Sequence, residues 1–170
     1  MVFRDSVEID ELKYPIRVRE LRVRVDSEGA GRRRGAPGTR VTYGPKHDAM
    51  TAAYVTDGHF HPPRGTRGGG DAAASIPFRV LPDGTEEPLR PISQEVIEPG
   101  ELLGHELSGG GGYGDPFERE PARVLEDVLA RFVTVERARD VYGVVFDQET
   151  LDDTLTVDDA ETGRLRKARR

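Results

Sequence analysis

Three clusters in this chain of 170 residues have the residue types and spacing to do chemistry. Ser108–Asp115 reads SGGGGYGD, between an expected strand and an expected helix. Glycine-rich turns in that setting cradle phosphates through free backbone N–H groups. Here no Gly-Lys-Ser/Thr follows, Pro116 removes one N–H, and Asp115 puts a negative charge where an anion would sit. The other reading is a tight loop closely approached by a neighbouring backbone or subunit, with at least one of Gly109–Gly112 at positive φ. Asp57, His59 and His61 form D-x-H-x-H, which on a strand would turn three ligands toward one metal ion. Pro62-Pro63 would break such a strand, and His47 and His105 stand isolated, so no fourth ligand is identifiable. Arg32-Arg33-Arg34, between Gly31 and Gly35, would hold a phosphate or a partner's carboxylates, or else form a solvated loop.

Other chemistries find little support. Ser108 has no evident base, and no Gly-x-Ser-x-Gly is present. The absence of cysteine excludes a thiol nucleophile, a disulfide scaffold and a Cys-ligated zinc or iron–sulfur centre. By themselves, these residues make no complete active site.

The elements that must position them change character near residue 115. Eighteen of the 20 glycines and 10 of the 12 prolines precede it. Ile16–Val25 alternates apolar residues with arginine and slips phase at Glu20-Leu21, as one bulged strand or two short ones would. Further strands are expected at 40–43, 50–56, 76–81, 95–97 and 102–107, separated by Gly/Pro turns. After Pro121, which suits a first helical turn, Val124, Leu125, Val128, Leu129 and Phe132 form an apolar stripe that should pack on the β body. Thr134 caps a second helix reaching Asp140, and Tyr142–Phe146 reads as a strand or an extended lid. Thr156 or Asp158 opens a last helix ending in RLRKARR. The expected fold class is α+β: a strand-rich sandwich or open-barrel body over 1–115, then a small helical C-terminal region over 116–170 packed on it.

Composition narrows the function classes. Ile, Leu, Val and Phe supply 40 residues, a thin core for this length. Net charge is −6 and is not segregated along the chain, which argues against nucleic acid as a partner. No apolar run approaches the ~20 residues of a transmembrane helix, and MVFRDSVEID lacks a signal peptide's apolar stretch. A cytoplasmic protein with no membrane contact is the expectation. Val2–Ile16 shows no clean amphipathic period or strong cap, so that segment is expected to be poorly anchored and to leave apolar surface for a partner.

A set of motifs along nearly the whole chain resembles the C-terminal third of the hydantoinase B / 5-oxoprolinase family. The set begins with Tyr14-Pro15, Leu21 and GAGRRRGAPG from Gly29 through Gly31, Arg34 and Gly35 to Gly38. It continues through Asp57, Pro62-Pro63-x-Gly65, Gly68-Gly69 and Leu81-Pro82-Asp83-Gly84. Its most specific parts are GGGGYGDP, formed by Gly109, Gly110, Gly111, Gly112, Tyr113, Gly114, Asp115 and Pro116, and ARDVYGVV over 138–145. Pro121–Asp127, then Val135-Glu136-x-Ala138-x-x-Val141-Tyr142-Gly143-Val144 and Thr162-x-Arg164-Leu165-Arg166 complete it. Arg33 departs from the family's usual aromatic, Ala36-Pro37 from its glycine pattern, and His59 and His61 from its usual basic residues. This last departure makes an inherited metal site at the histidines a poor expectation.

The resemblance implies a B-type subunit or domain that works with an A-type, ATP-binding subunit. Such complexes open cyclic amides or, in related branches, carboxylate ketones. A hydantoin, 5-oxoproline, another lactam and a ketone all stay open as substrate. ATP and a divalent metal are implied for the full complex, with none bound by this chain and no catalytic residue in it. The named glycines, with Tyr14, Pro15, Arg34, Asp115, Pro116 and Tyr142, are implied to be structural or interface positions. Met1 would start a split gene, a truncated frame or an excised domain, and the rest of the B-type subunit would be a partner. Two readings follow: a component of an ATP-dependent cyclic amide hydrolase that is inactive alone, or a non-catalytic β-rich interaction module.

Overall fold

A computed structural model describes residues 6–147 and 154–169. The chain runs α1 (Val7–Lys13), β1 (Ile16–Arg24), β2 (Gly38–Pro45), β3 (Met50–Val55), β4 (Ile76–Val80), β5 (Glu86–Pro88), β6 (Ile92–Ile97), β7 (Leu102–Glu106), α2 (Pro121–Leu129), α3 (Val135–Tyr142) and α4 (Asp159–Ala168). This is an α+β fold with a five-stranded sheet ordered β1-β2-β7-β4-β5 and a two-stranded sheet of β3 with β6. The β2–β7, β4–β7, β4–β5 and β3–β6 pairs are antiparallel, and no closed barrel forms among the described residues. The residues group into two compact units. One holds Met1–Arg22, Thr39–His59 and Ser75–Leu107; the other holds Val23–Gly38, Phe60–Ala74 and Ser108–Arg170. The change in composition near residue 115 falls inside the second.

The first unit carries the sheets. Alternation in β1 leaves Arg17 and Arg19 exposed and half-buries Ile16 and Val18, and the strand runs through the phase slip without breaking. Arg40 of β2 stitches the five-stranded sheet. Its Nε lies 3.0 Å from Glu20 of β1, its Nη1 lies 3.0 Å from Glu106 of β7, and its Nη2 pairs with Glu86 of β5. Its guanidinium stacks 4.3 Å from the Phe78 ring centre on β4. Phe78 faces Gly104 across the β4–β7 register, and a Cβ at Gly104 would meet that ring at 2.1 Å. Glycine is what lets the aromatic lie across the strand.

The N-terminal segment forms a helix that its sequence pattern did not announce. Ser6 caps α1 by accepting from the Ile9 N–H at 3.4 Å. Glu11 then accepts from the Val18 N–H at 2.8 Å, and the Lys46 N–H donates to the Pro15 carbonyl at 2.8 Å. The segment thus forms a capped helix tied to β1 and β2, although Ile9, Leu12 and Tyr14 remain exposed. Val2 and Phe3 lie outside the described residues.

His105 of β7 gives this unit a measurable pH dependence. Its Nε2 lies 3.1 Å from the Thr56 hydroxyl, the Tyr54 ring is 6.3 Å away, and burial pushes its pKa below the ordinary imidazole value. The unfolded chain therefore binds this proton more readily than the folded one. Stability contributed here is complete above the unfolded histidine pKa of ~6.5 and falls as pH drops through it. Urea midpoints should drop more between pH 7.5 and 5.5 for the wild type than for His105→Gln; equal drops would contradict this.

The second unit is cored by its helices. Val124, Val128, Val133, Ala138, Tyr142, Val144, Phe146 and Leu155 form one buried cluster with Ala30. Val124 and Val128 of α2 are fully buried and Leu125 packs partly against them, whereas Leu129 is 41% exposed. The inward place on the stripe belongs instead to Asp127, which is buried. Thr134 caps α3 by accepting from the Arg137 N–H at 3.1 Å, and its own N–H and hydroxyl donate to Asp26 at 2.8 and 2.9 Å. The helix continues through Tyr142 and ends at Gly143, where φ is +62°. The expected strand or lid over 142–146 is thus a helix end followed by extended chain, with Phe146 bridged to Val157. Asp158 caps α4, accepting from the Glu161 N–H at 2.9 Å.

Candidate functional site

In the second unit three glycine-rich segments, 29–36, 64–70 and 109–114, close on one another through backbone alone. The Gly29 N–H donates to Gly110 at 2.8 Å, Gly110 to Ala36 at 2.8 Å, Gly70 to Ala30 at 2.7 Å and Gly112 to Gly70 at 2.9 Å. Arg33 and Tyr113 exchange a reciprocal pair at 3.0 and 2.9 Å, and Gly114 donates to Thr66 at 3.0 Å. A Cβ would strike backbone within 1.8 Å at Gly35, 1.9 Å at Gly112, 2.1 Å at Gly111 and 2.3 Å at Gly69. The glycines are there because the segments approach too closely for any side chain.

Two expectations change. None of Gly109–Gly112 has positive φ; within GGGGYGDP that conformation occurs at Gly114, where φ is +75°. The N–H groups of Gly110, Gly112, Tyr113 and Gly114 are donated inside the chain, so they are not aimed at an external anion. Asp115 is a cap, accepting from the Phe117 N–H at 2.9 Å at the start of a 3-10 turn over Pro116–Glu118. These residues do not fit a phosphate cradle.

Charged groups lock the glycine layer to the helices. Asp127 of α2 accepts from Arg34 Nε at 2.7 Å through one oxygen and from Arg119 Nη2 at 2.8 Å through the other. Arg34 also donates to the Gly35 carbonyl at 2.8 Å and stacks 5.0 Å from the Phe132 ring centre. Arg34 is therefore internal, whereas Arg33 is exposed and Arg32 lies at 4.0 Å from Glu118. Fully buried Glu28, next to Gly29, accepts from the Tyr142 hydroxyl and from Arg137 Nε, both at 2.9 Å. Burial, then the adjoining Glu28 carboxylate, pushes the Tyr142 phenol well above its ordinary pKa, so it stays a neutral donor. Arg166 of α4 closes the end of α3, donating to the Tyr142 carbonyl at 2.9 Å and the Gly143 carbonyl at 3.2 Å.

The second unit thus gathers Gly29, Gly31, Arg34, Gly35, Gly109–Gly112, Gly114, Asp115, Pro116, Tyr142 and Gly143, while Tyr14 and Pro15 belong to the first. Asp57–His59 is a 3-10 turn, so the strand alternation that would align D-x-H-x-H does not apply. His59 Nδ1 lies 2.9 Å from the Ser75 carbonyl. Among the described residues, no group of three or more His, Asp or Glu could hold a metal ion. Sequence reasoning missed Asp127 and Glu28; an acid on the apolar face of α2 was the available signal for the first.

The sequence model described as hydantoinase B/oxoprolinase matches residues 2–116, including Tyr14-Pro15 and GGGGYGDP. The chain belongs to this family. Among the family's relatives, caprolactamase subunit beta of Pseudomonas jessenii is 35% identical over 146 residues, which cover 84% of this chain and 25% of that one. The acetone carboxylase alpha subunit of Xanthobacter autotrophicus is 27% identical over 95% of this chain and 25% of its own length. The crystal structure of the ATP-dependent caprolactamase from Pseudomonas jessenii superposes with a TM-score of 0.75 at 29% identity, over 95% of this chain and 28% of that one. This hydantoinase B chain spans about a quarter of the length of the curated relatives it matches.

Proposed function

We propose that this chain is the C-terminal portion of a B-type component of an ATP-dependent cyclic amide hydrolase, of the hydantoinase or oxoprolinase kind, and is inactive alone. It works with the rest of the B-type polypeptide and an A-type subunit that binds ATP, in the cytoplasm. The observation that carries this reading is coverage: 84% of this chain aligns with only 25% of a caprolactamase subunit beta. The glycine layer supports it. Its carboxylates Asp127 and Glu28 are bound to guanidinium groups, and the N–H groups of Gly29, Gly70, Gly110, Gly112 and Gly114 are donated to its own carbonyls, as suits a scaffold. ATP and the divalent metal belong to the other components.

The alternative, a non-catalytic interaction module, draws on the same lack of a bond-making cluster among the described residues. Co-expression with the remaining B-type polypeptide of its own genome tests the shared premise. A stable one-to-one complex is expected at micromolar concentration. Elution of the chain by itself in the presence of that polypeptide would overturn the proposal.

A further inference from the structure

The two-stranded sheet of the first unit has two unlike faces. Its register pairs Thr51 with Val96, Ala53 with Gln94 and Val55 with Ile92, so these six side chains share one face. All six are exposed: Val55 is 73%, Ile92 65% and Val96 51% accessible. None carries a charge, in a chain where 33% of residues do. The opposite face is occupied. Tyr54 meets His105 on β7, Glu95 accepts from Arg79 of β4 at 3.0 Å, and Ile97 is fully buried.

A solvated strand in this same unit looks different, since β1 turns Arg17 and Arg19 outward. Two-stranded ribbons are marginal without packing, and sheet faces left to water ordinarily carry charge. An apolar cross-strand pair at Val55–Ile92, flanked by uncharged neighbours, has the composition of a covered face.

We propose that this face is the docking surface for the part of the B-type polypeptide that this chain does not span. The proposal rests on the B-type reading above. Length supplies the occupant: this chain covers 28% of the caprolactamase chain and 26% of the acetone carboxylase chain, so these neighbours carry far more polypeptide outside the shared fold. Chemistry selects its surface. A face without charge fits an uncharged, largely apolar patch and offers no cation to phosphate or to an acidic segment.

The lack of native cysteine makes the test clean. Ala53→Cys and Gln94→Cys each place one thiol on the face, and Glu87→Cys places one on the exposed edge strand β5 as a reference. In the co-purified complex, maleimide labelling at 53 and 94 should slow by ~10-fold or more relative to the free chain, because thiol reactivity follows exposure. Val55→Glu should keep the wild-type circular dichroism of the free chain and weaken the complex ~10-fold or more, since docking would bury an unpaired charge. Labelling at free-chain rates in an intact complex would overturn the docking surface and leave the B-type reading standing. Failure of any complex to form would remove the reading and the proposal together. Protection that rises with the concentration of the free chain would assign the face to a second copy and overturn the proposal.

Discussion

Gly112→Ala should destabilise the second unit by about 3 kcal/mol, the upper end of ordinary overpacking costs. The added methyl would sit 1.9 Å from the Ala30 carbonyl oxygen and 2.7 Å from that of Gly29. Both obstacles are backbone, so no rotamer change relieves the clash. The Gly70 N–H donates to Ala30 and the Gly112 N–H to Gly70, so displacing either segment also breaks the layer's own hydrogen bonds. Gly163→Ala is the matched control. It lies inside α4 with nothing within 4 Å of the new Cβ, so it should be neutral or stabilise by up to ~1 kcal/mol. Denaturant titration of the two variants checks the contrast. Equal stabilities would show that the glycine layer yields to side chains.

Asp127→Ala should cost ~3–5 kcal/mol, because it leaves two guanidinium groups without their counter-charge in a largely dry site. Arg34 and Arg119 side chains are 17% and 9% accessible, so water compensates them poorly. The carboxylate links α2 to the 29–36 segment through Arg34 and to the chain after GGGGYGDP through Arg119. Asp127→Asn keeps the shape and some hydrogen bonding, and should lose less than the alanine variant. A loss below ~1 kcal/mol for Asp127→Ala would place the pair in the class of exposed ion pairs.

Much of the fold was legible because local signals agreed with tertiary packing. Alternation marked β1, Pro121 opened α2, and Thr134 and Asp158 capped α3 and α4. α1 was missed because its cap is a single Ser6 hydroxyl and none of its residues is buried. β5 was missed because Glu86-Glu87-Pro88 has no apolar face; pairing with β4 and the Arg40–Glu86 contact make it a strand. The glycine run announced close approach, but its conformational reason did not follow from sequence: Gly109–Gly112 are crowded by the backbone of other segments, and none of the four has positive φ. Glu28 gave no local signal, since its partners Arg137 and Tyr142 lie more than a hundred residues away.

The most direct test of the account is ATP-dependent ring opening by purified components. The A-type subunit and the remaining B-type polypeptide are assayed with hydantoin, 5-oxoproline and caprolactam, with and without this chain. The account predicts hydrolysis of a cyclic amide only when all three polypeptides and ATP are present. An undiminished rate without this chain, or ring opening by this chain alone without ATP, would contradict it.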